Sequence, residues 1–170
     1  MYARTHVERC RRGTARNVER AIPLLEAGCD RKDQTACALL AVHYEVGRGV
    51  PKDLDRAVVL ARGACDQKVA LGCSVLGHCY LEGIGVKQSD EQAAEMFRRA
   101  CEHKLADACV SLAVLVEAGR GVNRDVDRAC SLYRIGCAGG SAPGCLGLAR
   151  LQSSEEVPSP PPPPRSGQSL

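Results

Sequence analysis

The sequence predicts an all-α fold, a solenoid of tandem helix-turn-helix units of 36 residues, and three observations carry that reading. A frame of two cysteines with seven residues between them recurs four times: CDRKDQTAC from Cys29, CDQKVALGC from Cys65, CEHKLADAC from Cys101 and CAGGSAPGC from Cys137. The chain aligns with itself without a gap when units start at Ala21, Ala57, Ala93 and Ala129. Between recurring loops, the apolar residues keep a helical period. A fixed period of this length marks a repeat array, in which each unit buries its apolar face against its neighbours.

The loops set the order of elements. Three units share YEVGRGVPKDLDRA from Tyr44, YLEGIGVKQSDEQA from Tyr80 and VEAGRGVNRDVDRA from Val116. In each, glycine supplies the left-handed turn that ends one helix, and Asp53, Ser89 or Asp125 is placed to cap the next. A first helix precedes each loop. From Gln34 to Val46, the residues Cys37, Leu40, Ala41 and Tyr44 share one face at offsets of 3, 4 and 7. Cys73, Leu76, Gly77 and Tyr80 repeat that face, as do Cys109, Leu112, Ala113 and Val116. A second helix follows each loop, the first of them from about Leu54 to Asp66. Ala57, Ala93 and Ala129 leave room for close antiparallel packing. Turns at Lys32-Asp33, Lys68-Val69, Lys104-Leu105 and Gly140-Ser141 lead into the next unit.

Composition narrows the function classes. The 170 residues include no Trp, a single Phe at Phe97 and four Tyr, so the core is built from Ala, Leu, Val and Cys. The formal charge of +3 comes from 23 basic and 20 acidic residues. These are spread along the chain rather than gathered into the basic stripe of a nucleic-acid surface. Six Arg within the first twenty residues read as a solvated face. No apolar run reaches the roughly 18 residues of a membrane span. The N-terminus shows no apolar signal-peptide core. Eleven cysteines nevertheless suit an oxidising compartment. Eight lie in the repeated frame, and Cys10, Cys79 and Cys130 lie outside it.

A Leu-(Gly/Ala) pair, Tyr three residues on, Gly-x-Gly-Val, then Asp and an Ala-rich helix resembles the Sel-1-like repeat, a relative of the tetratricopeptide repeat. The added cysteine pair resembles the helicobacter cysteine-rich branch. The resemblance covers 17–151, with 1–16 as a degenerate half-repeat without its cysteines. It implies a right-handed α-solenoid, and residues 152–170, with five consecutive prolines from Pro160, are expected to form an extended tail. Pro160, Pro163 and Arg165 match a PxxPxR ligand pattern, although a short proline run serves more often as a linker.

In that branch the paired cysteines form disulfides, which implies Cys29 with Cys37, Cys65 with Cys73, Cys101 with Cys109 and Cys137 with Cys145. On one straight helix each pair would lie about 12 Å apart at ~1.5 Å rise per residue, so the chain must reverse between them. The turns named above allow this. Buried free thiols and zinc are the competing uses, zinc being disfavoured by the seven-residue spacing. Cys130 and Cys79 fall in core columns, and Cys10 reads as a free thiol.

The resemblance also raises penicillin binding or beta-lactam hydrolysis. No Ser-x-x-Lys pair, Walker loop or H-E-x-x-H is present, and His6, His43, His78 and His103 are scattered. No catalytic residue, cofactor or metal is expected. The function read from the sequence is a monomeric scaffold that binds a peptide or protein on a concave face, with thiol-based assembly or redox work as a further alternative. The resemblance places it in the periplasm, outside the cell or in the mitochondrial intermembrane space.

The helical wheel places the binding face opposite the core positions, along Thr35, Leu39, Val42 and Val46, then Leu71, Val75, His78 and Glu82, then Asp107, Ser111, Val114 and Ala118. Leu39, Val42, Val75, His78, Glu82, Asp107, Ser111 and Val114 are the residues expected to meet the partner. Packing against a neighbouring unit is the competing reading of the same apolar stripe.

Overall fold

The computed structural model describes residues 17, 18 and 20–155, and every regular element among them is a helix. Helix α1 occupies 20–30. It is followed by α2 (Gln34–Val46), α3 (Leu54–Asp66), α4 (Ala70–Glu82), α5 (Asp90–Glu102), α6 (Ala106–Ala118), α7 (Val126–Ala138) and α8 (Ala142–Glu155). The half-repeat expected at 1–16, Cys10 and the proline run lie outside the described residues. The boundary expected at Gln152 falls inside α8, where the Ser153 hydroxyl turns back on the Arg150 carbonyl at 2.9 Å.

The second helices start on side-chain caps. Asp53 accepts from the Arg56 amide, Ser89 from Gln92 and Asp125 from Arg128. Among the first helices, α2 is capped by Asp33, whereas α4 and α6 start at Val69 and Leu105 without a side-chain cap. Each loop is closed by a backbone bond from the capping residue to the carbonyl of Tyr44, Tyr80 or Val116. The second glycine of the loop has a separate role. At Gly121, with φ of 67°, a Cβ would sit 2.2 Å from the Asp90 carbonyl carbon, so the loop rests on the start of the preceding unit's second helix. Arg120 fixes that contact with a two-pronged bond to Asp90 at 2.8 and 2.9 Å.

Neighbouring units meet at four turns of one design. The amide of Asp33 bonds the Gly28 carbonyl and that of Lys32 bonds the Cys29 carbonyl, and the pattern repeats at Val69, Leu105 and Ser141. The pivot residues Lys32, Lys68, Lys104 and Gly140 all have positive φ. This reversal brings the cysteines of each frame to Cα separations of 4.4 to 4.7 Å, with sulfurs at bonding distance. A small-residue pair packs beside three of the disulfides, Gly28 with Ala36, Ala64 with Gly72 and Gly136 with Gly144, and the fully buried Ala100 and Ala108 hold the same positions at the remaining one. A Cβ on Gly72 would come within 2.6 Å of the Ala64 methyl and 2.8 Å of the Cys65 nitrogen.

Consecutive helices pack throughout α2–α8, and the first helices also pack on one another where α2 meets α4 and α6 meets α8. They therefore line the inner side. Ala57, Ala61, Ala93, Ala100 and Ala129 are fully buried between helices, as is Phe97, which lies against Gly77.

Candidate functional site

The inner face is built on α2, α4, α6 and α8. Leu39, Val46 and Val114 stand exposed on it, at 41%, 65% and 49% of their full accessibility. Val42 is half-buried against the core. Val75 does not belong to the surface: it is 4% exposed and packs in the main core, so at this position the stripe buries its side chain between units. His78 is exposed with its ring edge-on to Phe97, centroids 4.9 Å apart, and Glu82 is exposed. Asp107 accepts from the buried Ser141 hydroxyl at 2.7 Å, and Ser111 donates to the Asp107 carbonyl at 3.1 Å. Asp107 is thus engaged in holding the start of α6 to the next turn, whereas Ser111 is bonded back within α6.

Two columns, only the first of them beyond what the helical wheel singled out, complete the face. Glu45, Leu81 and Glu117 occupy one, and Val42, His78, Val114 and Arg150 the other. Arg150 reaches back across α6 and α8 to bond Glu117 with both nitrogens, at 2.6 and 2.8 Å, and the Tyr133 hydroxyl donates to the same carboxylate at 2.9 Å. These bonds hold the Glu117 carboxyl below its ordinary range despite desolvation. Between α2 and α4 the same register places Glu45 within electrostatic reach of His78, with no ion pair between them. Burial pushes the Glu45 carboxyl up, and His78 and Lys52 partly offset this. The middle register holds Leu81 and Val114. The face therefore runs from an acid and a base, through an apolar centre, to a second acid and base. The 36-residue spacing within each column was the available signal, and it becomes visible only when columns are read in pairs 33 residues apart.

Of the cysteines outside the disulfides, Cys79 is buried and Cys130 half-buried. Burial, with the Glu45 charge second, pushes the Cys79 thiol up to about 11, so it is un-ionised at neutral pH. Among the described residues, no group of three or more His, Cys, Asp or Glu is placed to hold a metal ion, and no helix is long and apolar enough to cross a membrane.

Stacked helix pairs with the first helices turned inward define an α-solenoid repeat protein, a class whose extended surfaces serve protein interaction. Three consecutive Sel1 repeats match at residues 34–69, 70–105 and 106–141, more than half of the chain. The chain belongs to the Sel1 repeat family, and its solenoid is right-handed and disulfide-stapled.

A Sel1 repeat protein from Oxalobacter formigenes is similar at 26% identity and a TM-score of 0.74, over 82% of this chain and 57% of that one. A protective antigen present in uropathogenic Escherichia coli strains is similar at 26% identity and a TM-score of 0.74, over 81% of this chain and 30% of its own. This chain thus spans less than two thirds of either protein. Helicobacter pylori cysteine rich protein B shares the fold at 24% identity and a TM-score of 0.60, over 77% of this chain and 94% of its own. No curated protein matches the chain.

Proposed function

We propose that the protein is a monomeric interaction scaffold that holds a peptide or protein partner along its inner face. One observation carries this reading: exposed Leu39, Val46 and Val114 share a face with the Glu117–Arg150 ion pair at one end and the Glu45 and His78 side chains at the other, an arrangement suited to an apolar segment with polar flanks. Val75 supports the face from below rather than touching the partner. The scaffold comprises 17–155, extended from the sequence-based limit by the run of α8, with 1–16 and the proline-rich end as appendages.

Four disulfides are consistent with an oxidising environment, and an extracytoplasmic site is the corresponding proposal. A thiol role has little support at Cys79, which is buried and un-ionised. Hydrolysis of a beta-lactam is expected to stay at the background rate.

Affinity capture followed by mass spectrometry identifies the partner, and the variant Leu39→Asp/Val114→Asp tests the face. Capture is expected to fall at least about tenfold, equivalent to ~1.4 kcal/mol, with little change in melting temperature. Undiminished capture by the folded variant removes this face from the reading.

A further inference from the structure

A cleft of about 520 Å³ opens between α1 and α3, on the flank of α2 opposite the inner stripe. Leu40 and Tyr44 form its floor, and Leu60 and Cys29 its sides. Glu26 and Asp30 from α1 and Asp55 from α3 line the rim. Arg56 also reaches the rim, but it is committed: its guanidinium donates to the Tyr44 hydroxyl at 3.0 Å and lies over that ring at 5.2 Å. Among the described residues, none of the three carboxylates forms an ion pair.

The next unit shows what fits there. At the positions of Leu60 and Gly63 it carries Met96 and Arg99. The Met96 sulfur lies 3.9 Å from the Cys65 sulfur, and Arg99 Nη2 donates to the Cys65 carbonyl at 2.9 Å. Cys65 is consequently fully buried. The groove that remains in that unit is lined by Arg62, Tyr80 and Gln92, without Cys65, Leu76 or Met96. In the first unit the shorter Leu60 and the absent side chain of Gly63 leave this space open, and the rim carries Glu26 where the second unit has Arg62.

We propose that the cleft receives an arginine side chain from a partner peptide. Its methylene stem lies along Leu40 and Leu60. Its guanidinium reaches the Cys29 carbonyl, as Arg99 reaches that of Cys65, and is drawn in by Glu26, Asp30 and Asp55. The site is separate from the inner face and does not depend on the function proposed for it.

The probe is a dye-labelled, capped hexapeptide with one Met and one Arg three positions apart, compared with its citrulline counterpart, which keeps the shape and loses the charge. Fluorescence anisotropy is expected to show saturable binding of the arginine peptide, with the citrulline peptide at least about tenfold weaker. The variant Leu60→Met/Gly63→Arg copies the second unit and fills the cleft in cis. It is expected to fold and to bind at least about tenfold more weakly. If that variant does not fold, Glu26→Gln/Asp30→Asn/Asp55→Asn, altered only at the rim, is expected to show the same loss. Equal binding of the two peptides, equal binding by a folded variant, or no saturable binding up to about 1 mM peptide overturns the proposal.

Discussion

The turn between α3 and α4 and the turn between α5 and α6 share almost everything. Each has a lysine at positive φ, the same pair of turn bonds and a disulfide across eight residues. The residue beside the disulfide is Gly72 in the first and Ala108 in the second, and the frames differ at four further positions, among them Leu71 against Asp107. Across the first, the backbones of α2 and α4 approach closely; across the second, those of α4 and α6 stay further apart. The contact returns between α6 and α8, where Gly136 and Gly144 are both glycine. The staple thus holds the ends of consecutive helices together whether or not the inner helices lie close, and the size of the residue beside it is the difference to test first.

The largest expected effect comes from breaking the tight junction. Gly72→Val drives a side chain into the Ala64 methyl and into the backbone at Cys65 N and Ala61 O, which no rotamer change relieves. A loss of about 3 kcal/mol is expected from overpacking, seen as a melting temperature lower by about 10 °C in a chain of this size. Next come the staples. Cys65→Ala/Cys73→Ala and Cys101→Ala/Cys109→Ala should each lose roughly 2–3 kcal/mol in urea unfolding, because each opens a ring of the same size. A clear inequality between them would show that the staple also sets helix separation.

Ala108→Gly should do the reverse of Gly72→Val. Adding a helix glycine costs about 1 kcal/mol, offset in part by the new contact. Distances between spin labels introduced at Glu82 and Ala118 as unnatural residues should shorten, and unchanged distances would remove the methyl as the cause. The smallest effect is a difference in alkaline stability. Cys79 of α4 has a thiol raised from 9.0 to about 11, whereas the same column on α6 holds Leu115. A raised pKa favours the folded state below the unfolded value and loses that contribution as pH climbs through the folded value. Cys79→Ala should therefore flatten the fall in stability between about pH 9 and 11, measured by denaturant titration at each pH against the parent protein.

The period, the loop glycines and the second-helix caps were legible in the sequence because spacing alone determines them. The burial of Val75 was not. It shares a column with exposed Leu39 and half-buried Ser111, and periodicity treats all three alike. Their different fates depend on how close the neighbouring helices lie, which periodicity along one helix does not carry. The Glu117–Arg150 pair was missed for a related reason: its members are partners across a junction, not along a helix. The cleft beside α1 depends on what Gly63 lacks, and that becomes meaningful only beside Arg99. The helical run beyond Leu151 was hidden by a Ser-Ser-Glu stretch that reads like the start of the tail.

The disulfides join one unit to the next rather than the two helices of a unit, and this has a mechanical consequence. A chain pulled from its ends cannot pay out the segment enclosed by each bridge. Every unit of 36 residues therefore withholds the eight spanned by its staple and releases 28. At about 3.5 Å per extended residue, each unravelling step is close to 100 Å, against about 125 Å once the bridges are reduced. The redox state of the surroundings would then set the length of chain that load can draw from the array, even where it leaves the stacked helices intact.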